Sequence, residues 1–128
     1  MPAANKSDDQ GRKTGPWEES FTDGKISGTG EYLNNEKMGN WKYYFRNGKL
    51  KAAGGYSHGE LTGAWQWYRE SGALMQTGTF KNDLQEGEWK RYHPNGELYD
   101  VGRYSSGKKA GEWNTYDTGG RLIRTKKH

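Results

Sequence analysis

The large apolar residues of this chain fall at a fixed interval of 24 positions. Gly15, Gly39, Gly63, Gly87 and Gly111 are each followed two residues later by Trp17, Trp41, Trp65, Trp89 and Trp113. Three further on stand Tyr44, Tyr68, Tyr92 and Tyr116, with Ser20 in the first unit. Gly24, Gly48, Gly72, Gly96 and Gly120 follow, and two beyond them come Ile26, Leu50, Leu74, Leu98 and Leu122. Gly30, Gly54, Gly78 and Gly102 precede Tyr32, Tyr56, Phe80 and Tyr104 in the same phase. No insertion breaks this register, which is the signature of an internal repeat. The chain therefore divides into a polar leader, 1–14, expected to be flexible, and one domain of five units at 15–38, 39–62, 63–86, 87–110 and 111–128.

Each unit holds two turns, except the last, which holds one. Asp23-Gly24, Asn47-Gly48, Ser71-Gly72, Asn95-Gly96 and Gly119-Gly120 supply one. Asn34-Asn35, His58-Gly59, Asn82-Asp83 and Ser106-Gly107 supply the other. Such pairs tolerate positive φ. The runs between them are rich in Trp, Tyr and Phe and show no helical period, so they are strands. The predicted fold is all-β: a single elongated antiparallel meander of stacked β-hairpins, with about ten strands. Pro94 before Asn95-Gly96 favours a three-residue turn with Gly96 as the bulge residue. That turn pairs Tyr92 with Leu98, and the same register predicts Gly102 and Tyr104 on their face, with Trp89 and Arg91 on the other. A two-residue turn would put the Trp on the Leu face instead.

Composition decides whether such a chain has a core. Hydrophobic residues make up only 30% and mean hydropathy is −1.29. Those figures alone point to disorder. Aromatic residues make up 14%, however, and each ring can bury roughly 150–250 Å². The core is thus expected to consist of rings. Net charge is +4, yet residues 15–120 carry −1 and Arg121, Arg124, Lys126 and Lys127 supply four cations. The basicity reads as a short tail and not a basic face, which argues against nucleic acid as a partner. With no cysteine, disulfides and thiolate metal sites are excluded. No apolar run is long enough for a membrane-spanning helix.

The string G-x-W-x-x-Y-x-x-x-G-x-L-x-x-x-G-x-Y resembles MORN-repeat proteins, specifically the bacterial variant-2 repeats of the YwqK-type antitoxin family. It is carried best by GNWKYYFRNGKLKAAGGY (39–56), GAWQWYRESGALMQTGTF (63–80) and GEWKRYHPNGELYDVGRY (87–104). The last unit departs where Lys126 replaces the glycine and His128 the aromatic. The first departs at Ser20 and at Asn35, and reads as a degenerate cap. The resemblance implies an elongated ribbon of hairpins that binds proteins or associates with membranes, and its family name implies neutralisation of a toxin.

Catalytic chemistry has little footing in the sequence. His58 lies in a turn, His93 beside one, and His128 is the last residue. No Ser/His/Asp, Cys/His or metal-ligand spacing appears, so neither enzyme activity nor a cofactor nor a metal is expected. Trp17, Trp41, Trp65, Trp89, Trp113, Tyr44, Tyr68, Tyr92 and Tyr116 belong to the repeat and are assigned to its structure. Binding is sought where the repeat varies. Four residues after each first glycine stand Glu19, Tyr43, Trp67, Arg91 and Thr115, and two further on Phe21, Phe45, Arg69, His93 and Asp117. Tyr43, Phe45, Trp67, Arg69, Arg91 and His93 are the candidate partner-binding residues, because rings and Arg dominate binding hot spots. Lys51, Met75, Tyr99 and Ile123 form a second irregular column. The expected partner is another protein, a toxin in the specific case. An envelope or membrane scaffold touching anionic lipid through the tail is the alternative, and the end strands leave homodimerisation open. The sequence as written fits the cytoplasm, or the periplasm or surface had an export signal been removed.

Overall fold

A computed structural model describes residues 4–128. It contains eleven strands: β1 (Lys6–Ser7), β2 (Lys13–Ser20), β3 (Ile26–Leu33), β4 (Glu36–Tyr44), β5 (Leu50–Ser57), β6 (Glu60–Tyr68), β7 (Leu74–Lys81), β8 (Leu84–Tyr92), β9 (Leu98–Ser105), β10 (Lys108–Tyr116) and β11 (Leu122–Lys127). They form one antiparallel sheet in chain order, the expected meander. Inside the leader stretch, Lys6 and Ser7 pair with Thr14 and Lys13 and add the eleventh strand. Their turn is held by Asp8, whose carboxylate accepts the backbone N–H groups of Gln10 and Arg12 and the Arg12 guanidinium. Those bonds lower the Asp8 pKa, that from the Arg12 backbone most of all.

Two turn types alternate along the ribbon. In the first, the His93 N–H donates to Glu97 O and Gly96 N–H to His93 O, closing the three-residue turn with Gly96 at φ 91°. The Tyr92–Leu98 pair forms as predicted. In the second, both central residues have positive φ, as at Asn34 (52°) and Asn35 (67°), which is the two-residue type I′ hairpin whose twist matches that of the strands.

From β2 to β11 each strand pair carries one bulge, of two alternating kinds, and they decide which residues face which way. Arg91 pairs with Asp100 but Tyr92 with Leu98, so Tyr99 is an unpaired bulge residue. That extra residue inverts the alternation. Gly102 and Tyr104 therefore lie on the face of Trp89 and Arg91, not on that of Tyr92 and Leu98, which corrects the sequence expectation. The second bulge sets Gly87, Glu88 and Trp89 opposite the single residue Gly78. It lets the indole fold back across Gly78, where a Cβ would overlap the ring. The indole N–H then donates to the carbonyl of Thr79 at 3.2 Å. Trp41 on Gly30, Trp65 on Gly54 and Trp113 on Gly102 repeat the arrangement, with latches to Glu31, Gly55 and Arg103 at 3.0–3.2 Å.

The core lies on one face of this single-layer sheet, here the front face. Trp41, Trp65, Trp89 and Trp113 are buried there with Tyr32 and Ala52. Edge-to-face contacts alternate along it, Trp41–Tyr56, Tyr56–Trp65, Trp65–Phe80, Phe80–Trp89, Trp89–Tyr104 and Tyr104–Trp113, at 5.1–6.3 Å between centroids. This is the preferred geometry for ring quadrupoles. A core of rings on a sheet with few aliphatic residues is the outcome.

Candidate functional site

Residues two beyond each core Trp share its face, because strand side chains alternate. Glu19, Tyr43, Trp67, Arg91 and Thr115 thus line the front face between successive tryptophans. Tyr43 stacks on Trp41 and Trp65 at 6.0 and 6.3 Å with interplanar angles of 25° and 22°. Trp67 stacks on Trp65 at 5.9 Å and lies 5.6 Å from Trp89. Trp41, Tyr43, Trp65, Trp67 and Trp89 therefore make one continuous pile of rings. Small residues opposite give the inserted rings room: Gly28 and Ala52 flank Tyr43, and Ala52 pairs with Trp67.

A polar network surrounds the first of these rings. Lys37 Nζ donates to Tyr43 Oη at 2.8 Å and sits 4.6 Å over the Trp41 ring. It also lies 3.4 Å from Glu19 Oε1. Tyr43 and Tyr56 share a hydroxyl hydrogen bond of 2.8 Å. Loss of water raises both phenol pKa values above the ordinary 10.0, and the bond to Tyr43 adds to the rise at Tyr56.

One unit further on, rings give way to ions. Arg91 grips Asp100 with Nε at 3.1 and 3.2 Å and Nη2 at 2.6 Å. Asp100 is the buried charged residue of the described chain at 5% exposure, while half of the Arg91 side chain remains open to solvent. The bond to Asp100 raises the Arg91 pKa. The guanidinium also lies 4.9 Å over Tyr99, on which His93 stacks at 4.9 Å. Gln76, Gln85, Trp89, Arg91, Asp100, Tyr104, Lys109 and Trp113 enclose a cleft of about 180 Å³ there.

The six predicted partner-binding residues thus fall into two groups. Tyr43, Trp67 and Arg91 share the front-face column, Tyr43 and Trp67 half-buried and Arg91 exposed. Phe45, Arg69 and His93 follow it at the mouths of the three-residue turns, and two of them tie neighbouring units together. Arg69 Nη2 donates to Tyr92 O at 2.9 Å and His93 Nε2 lies 2.8 Å from Tyr116 O. Phe45 lies beneath the Lys51 ammonium at 5.8 Å. The irregular column Lys51, Met75, Tyr99 and Ile123 consists of the bulge residues, unpaired in the ladder. Among the described residues no group of three or more His, Cys, Asp and Glu side chains could hold a metal ion.

Two features escaped the sequence pattern. Asp100 is invisible as the partner of Arg91 until the bulge at Tyr99 is placed. The facing of the basic C-terminal residues is the other: they lie on β11, the second strand of the fifth predicted unit, in register with β10. Its Arg124 pairs with Thr115 and Lys126 with Trp113, so both cations join the front face. Charge counted along the chain hid this basic face, because only strand parity reveals it.

A model of the MORN repeat variant matches residues 39–58, 61–82 and 85–106, together half of the chain. No curated protein sequence matches the chain. Among solved structures, a GtfA/B complex bound to UDP and GlcNAc is similar at 14% identity with a TM-score of 0.33. That likeness covers 84% of this chain and 21% of the other, so the chain spans about a fifth of that neighbour's length. MORN repeats form modules for protein or membrane binding and are generally non-catalytic. Three consecutive matches, in phase with the hairpins described above, place the chain in the MORN repeat variant family.

Proposed function

We propose that this chain is a non-enzymatic module that recognises another protein through the front face of its sheet. The observation that carries this reading is the placement of the residues that break the repeat. Tyr43, Trp67 and Arg91 share one column of that face, and Tyr99 and His93 adjoin Arg91. Aromatic and arginine side chains gathered on one partly exposed surface are the composition of binding hot spots. Neutralisation of a toxin by covering its surface, as an antitoxin or immunity protein does, is the specific form that the resemblance of the repeats suggests. Site-specific photocrosslinkers at position 45 or 99 on the front side, and at exposed position 66 on the back, test the reading after affinity capture. Crosslinks to the captured protein are expected from 45 and 99. Crosslinks from 66 alone would refute it.

A second reading, an envelope or membrane scaffold, draws on β11, whose residues are all exposed and include Ile123, Arg124, Lys126 and Lys127. Each basic residue near an anionic surface contributes about 1 kcal/mol. Co-sedimentation with anionic vesicles that vanishes when these cations are neutralised would favour it over the first.

A further inference from the structure

The cleft beside Arg91 differs from the equivalent position one unit upstream. There, around Trp65 and Trp89, the corresponding side chains are Ala52, Leu61, Trp67, Gln76, Phe80 and Gln85, and Trp67 fills the gap between the two indoles. Around Trp89 and Trp113 they are Gln76, Gln85, Arg91, Asp100, Tyr104 and Lys109, which leave it open. No hydrogen bond within the described residues engages the side chains of Gln76, Gln85, Tyr104 or Lys109, although all four face the same space. Among the described residues Lys109 has no carboxylate partner, and it rests 4.7 Å over the Trp113 ring.

The strand charges of this half of the face are one-sided, the exposed Glu97 lying beyond them at the turn opposite His93. Strands β8 to β11 put Arg91, Lys109, Arg124 and Lys126 on the front, opposed there by Asp100, which Arg91 neutralises. Asp117, at the neighbouring turn, spends its carboxylate on the backbone N–H groups of Gly119 and Arg121. Glu88 and Glu112 lie on the back face, where their ion-pair partners are Lys90 and Lys127. The front face therefore offers unpaired cationic donors and free amide and hydroxyl groups above an aromatic floor.

We infer that this cleft and the adjoining cations of β11 form a subsite for a carboxylate side chain of an acidic segment in the protein partner. The inference rests on the front-face reading above and adds the chemistry of what is read there. The free edge of the Arg91 guanidinium and the Lys109 ammonium meet the carboxylate, while Trp89, Tyr104 and Trp113 exclude water around it. Arg124 and Lys126 extend the attraction to neighbouring acidic residues and steer the encounter. Binding of this kind weakens as salt rises.

The test selects binders from a random peptide library on the full chain, in parallel with a Lys109→Gln/Arg124→Gln/Lys126→Gln variant. All three residues are exposed, so the fold is retained, and circular dichroism checks it. Peptides selected on the unaltered chain are expected to be enriched in Asp and Glu over the starting library, and those selected on the variant are not. Exchanging a selected peptide's acidic residue for its amide should weaken binding about tenfold, the loss expected for one charge-assisted contact. Peptides no more acidic than the library, yet crosslinking from position 99, would overturn the inference and leave the front-face reading standing. Acidic peptides that crosslink only from position 66, or no selected peptide at all, would count against both. Binding to phosphatidylserine vesicles without acidic enrichment would overturn it in favour of a lipid surface.

Discussion

Between Trp41 and Trp89 the front face is a pile of rings, and between Trp89 and Trp113 the same scaffold carries ions. The backbone does not differ. Both halves have the same bulges, the same indole latches and the same glycine beneath each Trp. What differs is one column and the residues opposite it. Tyr43 lies between Gly28 and Ala52 and Trp67 between Ala52 and Gln76, whereas Arg91 lies between Gln76 and Asp100. The repeat fixes a frame, and each gap between tryptophans is filled independently, by a ring over a small residue or by a base over an acid.

The largest effect should fall on the shared frame and ignore the difference between halves. At Gly54 and at Gly102 any side chain would overlap the indole of Trp65 or Trp113. Gly54→Val and Gly102→Val are each expected to cost about 3 kcal/mol through overpacking and loss of the latch. Chemical denaturation of the two variants checks this. A much smaller loss at Gly102 would mean that the ionic half tolerates repacking and is built on a different principle.

Next come the fillers, where the halves should part. Trp67→Ala removes a ring packed against Trp65, Phe80 and Trp89 and should cost about 2–3 kcal/mol. In the ionic half the cost should depend on which partner is removed. Arg91→Ala leaves Asp100 buried and unpaired, at about 2 kcal/mol. Asp100→Ala leaves a half-exposed guanidinium that water can solvate, at about 1 kcal/mol. The double variant should cost less than the sum of the singles, and strict additivity would show that the pair is not coupled.

Legibility from sequence followed the same division. The frame was readable because it repeats: the 24-residue phase gave the hairpins, and Pro94 gave the three-residue turn. The bulges were only half readable. Gly96 announced itself, but the unpaired Tyr99 beside it did not, since any residue can occupy such a bulge. That single residue moved Gly102 and Tyr104 to the other face and hid Asp100 behind Arg91. The candidate face was located by looking for departures from the repeat, yet Arg69 and His93 departed in order to bind the next hairpin's backbone. A departure alone cannot distinguish a strut from a contact residue; the position of its polar atoms can. Charge along the chain misled about β11 for a related reason, since strand parity sorts neighbours onto opposite faces.

Alkaline pH should act on the ring half first. Burial raises the pKa of Tyr43 and Tyr56 in the folded chain above the unfolded value near 10. The native state then holds these protons more tightly than the unfolded state. Their contribution is complete below about pH 10 and is lost as pH climbs through the folded values. Denaturation midpoints should accordingly be flat in mildly alkaline buffer and fall above about pH 10. Tyr56→Phe should reduce that fall, while Arg91→Ala should leave it unchanged. An equal fall in both variants would dissociate the alkaline transition from the Tyr43–Tyr56 pair.

The smallest effect lies in the type I′ turns, which close hairpins in both halves. Asn34-Asn35 and Asn82-Asp83 use residues suited to positive φ, but His58 and Ser106 stand at 51° and 47° without that aptitude. Asparagine tolerates the left-handed region better than either, because its short amide can bond locally. His58→Asn in the ring half and Ser106→Asn in the ionic half should each stabilise the chain by about 0.5 kcal/mol. The backbone N–H of Ser106 keeps its bond to Glu86 Oε2 in either case. The measurement is a rise in denaturation midpoint at unchanged m-value. Equal gains at both sites would show that the hairpin frame is indifferent to what fills the face above it. A gain at His58 with a loss at Ser106 would mean instead that the ionic half is under strain, which its turn relieves.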